Sequence, residues 1–277
     1  MSGMTALEFT GLVALGAAAA GLVGALTGLG GGIILVPLLT LGFGVNLRYA
    51  AGASLVSVIA TSSGAAASYV RDGFTNMRVG MLLEVATTLG AVVGAVATGY
   101  VSTGTIEIIF GVVLLYSAFG AVTNDAESGT TEAPNPIATR LKLDSTFPTP
   151  DGPRAYTVQR VPLGFGIMAI AGVLSGLLGV GSGAVKVLAM DRAMHLPFKV
   201  STTTSNFMIG VTAAASAGVY LRRGYIDPAL ACPVMLGVLA GALVGARVLR
   251  TARVPVLRRI FSVAIAVLAV EMIVKGL

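Results

Sequence analysis

The sequence predicts an all-α polytopic membrane protein built from two homologous repeats, on three observations. Charge is scarce: of 277 residues, 55% are hydrophobic and only 11% charged, whereas soluble domains carry about 25% charged residues. Apolar stretches near the roughly 20 residues needed to cross a bilayer recur along the chain, and mean hydropathy is +0.90. The sequence also matches itself, without a gap, at an offset of 151 residues. Trp is absent and aromatics are 6%, which excludes the aromatic-girdled strands of an outer-membrane barrel. One cysteine, Cys232, and one histidine, His195, cannot build a disulfide or a Cys/His metal cluster, so neither a metal nor a cofactor is expected.

Eight long apolar segments lie at about 6–27, 48–70, 79–101, 104–123, 160–178, 200–221, 229–249 and 256–274. Two further stretches, 33–45 and 184–196, are too short for ordinary spans, and each follows a glycine run; they predict two Gly-flanked half-helices. The first segment is not read as a signal peptide, because residues 1–10 contain Glu8 and no Lys or Arg. Residues 124–159 form the one sizeable polar stretch, with Pro134, Pro136, Pro148, Pro150 and Pro153. That is linker composition. It divides the chain into a first repeat at 1–123 and a second at 160–277.

The offset pairs Gly21–Ala95 with Gly172–Ala246, identical at 17 of 75 positions. Identities include Gly28/Gly179, Gly30/Gly181, Gly32/Gly183, Ser54/Ser205, Thr61/Thr212, Tyr69/Tyr220, Arg71/Arg222 and Gly73/Gly224. Small apolar residues match by chance in any membrane chain; a gapless register carrying Tyr, Arg and Ser does not. Duplication of this kind is characteristic of transporters.

The net charge of +6 reads as topology rather than nucleic-acid binding, since most Lys and Arg lie between apolar segments. If the short stretches are re-entrant, the 17 basic residues other than Lys186 divide nine to eight. If they also cross, the second repeat is inverted. Thirteen (Arg71, Arg78, Arg140, Lys142, Arg154, Arg160, Arg192, Lys199, Arg247, Arg250, Arg253, Arg258 and Arg259) then face one side, against Arg48, Arg222, Arg223 and Lys275 on the other. The second division obeys the positive-inside rule. It predicts inverted repeats with both termini outside the cytoplasmic membrane.

Glycine at the density of Gly28–Gly32 or Gly179–Gly183 breaks a helix and lets backbone N–H groups face a cavity. The half-helix that follows presents a positive dipole end suited to an anion. Gly30, Gly31, Gly32, Gly181, Ser182 and Gly183 are therefore candidate substrate-binding residues. The runs only faintly resemble nucleotide-binding loops, since neither follows a soluble strand of a βα unit. For Gly90/Gly94 and Gly241/Gly245, close helix packing is the expected role.

Lys186 lies three residues past the second glycine run, where the first repeat has Leu35. A lysine inside an apolar stretch is a functional candidate by default. Substrate charge compensation is expected of it, with pairing to Asp191 as the bland alternative. Ser54, Ser205 and Asn206 sit beyond the helix-capping positions and are candidate oxyanion donors. Thr61, Ser62 and Thr212 are weaker candidates, since mid-helix hydroxyls often just bond to the preceding turn. Glu84, mid-segment, is the proton-coupling candidate, while Glu107, Glu271 and His195 are expected at interfaces or segment ends.

The pattern Gly-Leu-x-Gly-x-Leu-x-Gly-Leu-Gly-Gly-Gly-x-x-x-x-Pro at 21–37, with Ala-x-x-Ser-Leu at 51–55 and Tyr-x-Arg-x-Gly at 69–73, returns from residue 172. It resembles the TauE/SafE family of membrane permeases, also called the sulfite exporter or toluene-sulfonate permease family. The resemblance implies secondary transport of small anions, chiefly sulfite and organosulfonates, by alternating access. It carries over Gly30–Gly32 and Pro37 in the first half, and Gly181 and Gly183 in the second. The second half departs from the pattern at Ser182, Leu188 and Lys186. Ile209-Gly-Val-Thr-Ala-Ala-Ala and Gly224-Tyr-Ile-Asp-Pro228 resemble a prokaryotic subgroup of undefined substrate.

The expected partners are a small anion, the lipid bilayer and H+ as coupling ion, with no nucleic acid; a homo-oligomer is compatible with the sequence. An anion channel, a membrane enzyme and a non-transporting scaffold are the alternatives. For the enzyme, the sequence offers no H-E-x-x-H motif, no Ser/His dyad and no paired intramembrane aspartates.

Overall fold

The computed structural model describes residues 5–27, 31–71, 73–122, 135–149, 152–181, 183–248 and 266–277, and these are mostly helical. In the first half, α1 (Ala6–Thr27) precedes the glycine break, and α2 (Gly32–Pro37) continues through a π turn over Leu38–Gly42. Then come α3 (Leu47–Arg71), α4 (Met77–Ala97) and α5 (Thr103–Val122). A polar insertion holds α6 (Pro136–Arg140), β1 (Ser145–Thr149) and β2 (Gly152–Tyr156). The second half repeats the first: α7 (Val161–Leu178), α8 (Gly183–Leu188) with a π turn over Ala189–Ala193, α9 (Phe198–Arg222) and α10 (Pro228–Val248). A helix over residues 266–276, α11, follows.

The bounds of α2, its π turn, α3 and α4 recur 151 residues later, to the residue, in α8, its π turn, α9 and α10. Even the turns correspond. Gly44 and His195, one offset apart, both have positive φ (66° and 57°). That conformation is easy for glycine and tolerable for histidine.

The halves interlock by exchanging contacts. α1 packs along α10, α4 along α7, and α3 crosses α9. A Cβ on Gly21 would strike the Val238 carbonyl oxygen, and one on its equivalent, Gly172, would strike that of Thr87. Gly90 meets Ala169, and Gly241 meets Ala18, in the same reciprocal way. These seams close because backbone approaches backbone where no side chain intervenes. Gly90, Gly94 and Gly241 thus take the expected packing role.

Three described helices are long and apolar enough to cross a membrane by length and composition: Met77–Ala97, Val161–Leu178 and Pro228–Gly245. Glu8–Gly24, Gly32–Gly42 and Thr103–Tyr116 are apolar but shorter. The 25-residue α3 and α9 are not among them. Several of their serines and threonines, Ser54, Ser57, Thr204, Ser205 and Thr212 among them, are buried against protein. The combination is that of a polytopic membrane protein with a polar centre.

Hydrogen bonds group the loops into two clusters. In the first, Phe9 stacks edge-on with Phe43 at 5.9 Å, and Arg48 donates to the Val101 carbonyl at 3.2 Å. Lys275 donates to the Thr40 carbonyl at 3.3 Å, and Arg223 donates to that of Ala95 at 3.3 Å. In the second, Arg78 donates to the Lys142 carbonyl at 2.9 Å. There the Asn76 N–H donates to Thr204 Oγ1 at 3.0 Å, and the Gln159 N–H donates to the Met194 carbonyl at 3.0 Å.

The described part of the polar insertion is more than a spacer. β1 and β2 pair antiparallel, Ser145 opposite Tyr156 and Thr149 opposite Gly152. Ala138, Leu143, Tyr156 and Val158 pack with Val79, Met190, Met194, Leu196 and Val200 of the bundle. Asn76 organises the junction: its Oδ1 accepts from the Val79 N–H at 3.1 Å as the α4 N-cap, while Nδ2 donates to the Leu143 carbonyl and Tyr156 Oη, each at 2.8 Å. Burial pushes the Tyr156 phenol above its ordinary pKa. Composition predicts a linker here because Pro and charge dominate it. The apolar residues that dock it are too widely spaced to register as a pattern.

Candidate functional site

Both glycine breaks meet at the α3–α9 crossing. Gly31 lies against α1, where a Cβ would be 3.5 Å from Gly21 Cα. A Cβ on Gly32 would lie 2.8 Å from Ser54 Oγ, 3.0 Å from Val58 Cγ2 and 3.2 Å from the Val180 carbonyl oxygen. Gly181, at φ +73°, would direct a Cβ to 2.7 Å from Ile209 Cγ2 and 3.3 Å from Val58 Cγ1. Val58 and Ile209 are equivalent positions of α3 and α9. Both half-helices therefore begin beside Val58, and Gly181 also meets its equivalent, Ile209.

Ser54 and Ser205 differ within this frame. Both are fully buried. The Ser205 hydroxyl donates to the Gly183 carbonyl at 3.2 Å. Among the described residues Ser54 Oγ has no hydrogen-bond partner, and leaving a buried hydroxyl unsatisfied costs about 1–3 kcal/mol. Asn206, half-buried on α9, takes no part in these hydrogen bonds. Gly30 and Ser182 lie outside the described residues.

Lys186 is 0% exposed, in the first turns of α8. Its ammonium donates to Thr212 Oγ1 on α9. The Thr212 hydroxyl donates in turn to Glu84 Oε1 at 2.7 Å. Glu84, on α4 and 8% exposed, also accepts from Thr88 Oγ1 at 2.9 Å and Thr87 Oγ1 at 3.1 Å. Its Oε2 lies 3.9 Å from Lys186 Nζ. The ion pair of Lys186 is thus with Glu84, across the repeat boundary, and runs through a hydroxyl.

In the sequence alone Thr212 is a weak candidate, and Thr87 and Thr88 are not among the candidates. Thr212 does lie 3.1 Å from the Met208 carbonyl, but it also bridges the two charges. Thr87 and Thr88 were discoverable: three and four residues after Glu84, they share its face of the helix. The equivalents of Lys186, Thr212 and Glu84 in the other half are Leu35, Thr61 and Met235. The charged arrangement therefore occurs once.

Other acidic groups lie apart from this cluster. Glu107, at the start of α5, pairs with Lys275 at 3.4 Å. Among the described residues no group of three or more His, Cys, Asp or Glu could hold a metal ion.

Residues 13–272 match the family model described as "Sulfite exporter TauE/SafE". The chain is 25% identical to a Bacillus subtilis protein named "Probable membrane transporter protein YunE", over 98% of this chain and 99% of that one. It is 27% identical to "Probable membrane transporter protein YdhB" of the same organism, over 82% and 85% of the two chains. A "Probable membrane transporter protein" of Xylella fastidiosa is 25% identical over 91% and 92%. No solved structure matches.

Proposed function

The chain belongs to the sulfite exporter TauE/SafE family of membrane transporters, and from that premise we propose that it is a secondary transporter moving a small anion, sulfite or an organosulfonate, across the cytoplasmic membrane. The relatives it matches along most of their length are membrane transporters rather than enzymes. The observation that carries the anion reading is that the first half-helix starts against Ser54, whose buried hydroxyl lacks a partner among the described residues, while Gly181, just before the second, lies against Val58 one turn further along the same helix, with Lys186 three residues past Gly183. Backbone N–H groups, a hydroxyl and a cation are what an oxyanion requires. Gly31, Gly32, Ser54, Gly181, Gly183 and Lys186 would form the site, with Ser205 and Asn206 bordering it.

The proposal includes eight long transmembrane helices, two half-helices and inverted repeats. Phe43, after the first half-helix, belongs to the Phe9 cluster; its equivalent, Met194, belongs to the Asn76 and Lys142 cluster. Equivalent points at opposite ends support inversion. The Arg48, Arg223 and Lys275 bonds lie in the first cluster, and Arg78, Lys142 and Gln159 in the second. This agrees with the thirteen-to-four division of basic residues and makes the second end cytoplasmic. Alternating access then follows from one repeat rocking against the other around the shared centre.

Reconstituted proteoliposomes test this reading. Sulfite flux should saturate, and unlabelled sulfite inside should accelerate entry of labelled sulfite from outside. Flux that rises linearly with concentration and shows no such exchange would mean a channel instead.

A further inference from the structure

The cation of the proposed anion site already has an anion beside it. Lys186 donates to Thr212, and Thr212 donates to Glu84 at 2.7 Å. The charged atoms themselves are 3.9 Å apart, so no direct hydrogen bond locks the pair. With both groups ionised the cluster is neutral.

Among the described residues the elements packed around it contribute no further charge at this level. α7 carries no titratable residue between Val161 and Leu178. Those of α9 lie toward its ends, at Lys199, Tyr220 and Arg222. On α4 the nearest is Arg78, at the opposite end of the apolar run from Ala97. α5, which touches α8, carries Glu107, paired with Lys275, and the exposed Tyr116. Beyond Lys186 on its own element come Asp191 and Arg192, in the π turn.

An anion entering this neutral, buried cluster would leave it with an uncompensated negative charge, which the low-dielectric interior penalises heavily. An anion entering together with a proton on Glu84 leaves it neutral. We infer that Glu84 and Lys186 make anion and proton binding one linked event: a proton bound on the Glu84 carboxylate for each anion accepted by Lys186. This rests on the anion-transporter reading above and adds its coupling ion and stoichiometry.

The hydroxyls around Glu84 are arranged for that change. When the carboxylate is neutralised, Thr212 can turn its proton to the Met208 carbonyl at 3.1 Å. Thr87 has the Glu84 and Leu83 carbonyls at 3.1 and 3.3 Å. Thr88 can remain on the carboxyl oxygen it already uses. Each of the three threonine hydroxyls thus keeps an acceptor in either charge state, and the anion replaces the charge that Glu84 gives up. Turning Thr212 away also frees the ammonium from the bridge that ties it to Glu84. Because linkage is reciprocal, the proton raises anion affinity as much as the anion raises proton affinity.

The test uses purified full-length protein and methanesulfonate, an anion whose own charge is constant across the range. Binding is measured calorimetrically in buffers of different ionisation enthalpy, in mildly acidic and mildly alkaline solution. The wild type should take up close to one proton per anion. Its affinity should tighten by up to about tenfold per unit fall in pH where Glu84 is ionised in the free protein. Glu84→Gln, a neutral mimic of the protonated state, should bind without proton uptake and lose the pH dependence. Lys186→Met should not bind in either buffer.

Wild-type binding without proton uptake, or undiminished uptake by Glu84→Gln, overturns the linkage and leaves the transporter reading standing. If the wild type binds neither methanesulfonate nor sulfite in any buffer, the anion reading itself falls. The wild-type proton count decides the matter even if Glu84→Gln does not fold.

Discussion

Ser54 and Ser205 occupy equivalent, fully buried positions on packed helices, yet among the described residues only Ser205 has a hydrogen-bond partner, the carbonyl of Gly183. A duplicated backbone thus holds one satisfied hydroxyl and one unsatisfied one. Ser205→Ala should destabilise the protein by roughly 1 kcal/mol, the ordinary net worth of a buried hydrogen bond. Ser54→Ala should leave stability unchanged or raise it slightly, while weakening anion binding. Thermal unfolding in detergent, with and without sulfite, separates the two effects.

Removing one member of the Lys186–Glu84 pair strands the other. Lys186→Met alone should cost about 3–5 kcal/mol, whereas the double variant with Glu84→Gln should recover most of that loss. A double-mutant cycle on unfolding free energy measures the coupling. Additive losses would mean that the pair has no energetic reality.

The glycine seams should respond as equivalents. Gly90→Ala and Gly241→Ala each drive a methyl group into a backbone carbonyl, of Ala169 and Ala18 respectively. Each should cost about 1–3 kcal/mol by overpacking, and by similar amounts. Because the two sites lie in different seams, their effects should add.

Topology has a direct readout. With exposed Cys232 replaced by Ser, Asn135→Cys should resist a membrane-impermeant thiol reagent in intact cells and react after the cells are opened. Reaction in intact cells would place the polar insertion outside and reverse the orientation.

At the insertion, Tyr156 has a raised folded-state pKa, with burial as the cause. The unfolded phenol ionises near pH 10, while the folded one holds its proton to higher pH. Its stabilising contribution is therefore complete below about pH 10 and lost as pH rises through the folded value. Tyr156→Phe should flatten that alkaline loss. Asn76→Ala removes the α4 cap and both donor bonds to the insertion. Limited proteolysis within 135–159 should then accelerate.

Much of this architecture was legible in the sequence because duplication is a one-dimensional signal. The gapless offset fixed the correspondence of α2 to α8 and α3 to α9 before any coordinate, and the glycine runs marked the breaks. Lys186 stood out because a charge in an apolar run is conspicuous. Its partner was not legible: Glu84 lies on another helix in the other repeat, and a contact of that range leaves no local pattern. The nearer Asp191 was the only partner that spacing could suggest. The docking of the insertion was hidden for a related reason, since Leu143, Tyr156 and Val158 find their neighbours on α4 and around the second π turn.

The polar composition of α3 and α9 bears on how the chain enters its membrane. They are the most polar of the long helices, although each is 25 residues long. In bare lipid their hydroxyls could bond only to the preceding turn of their own helix, as Ser57 and Thr212 also do here, and the partners that other elements supply, such as Gly183 for Ser205, would be missing. α4, α7 and α10 have no such difficulty. During biogenesis the apolar helices can partition early and shelter the two polar ones, which settle only when both halves of the chain have been synthesised and can cross. Assembly of the centre is therefore a late, cooperative step, and a truncated first half should leave α3 without its partner and open to quality-control proteolysis.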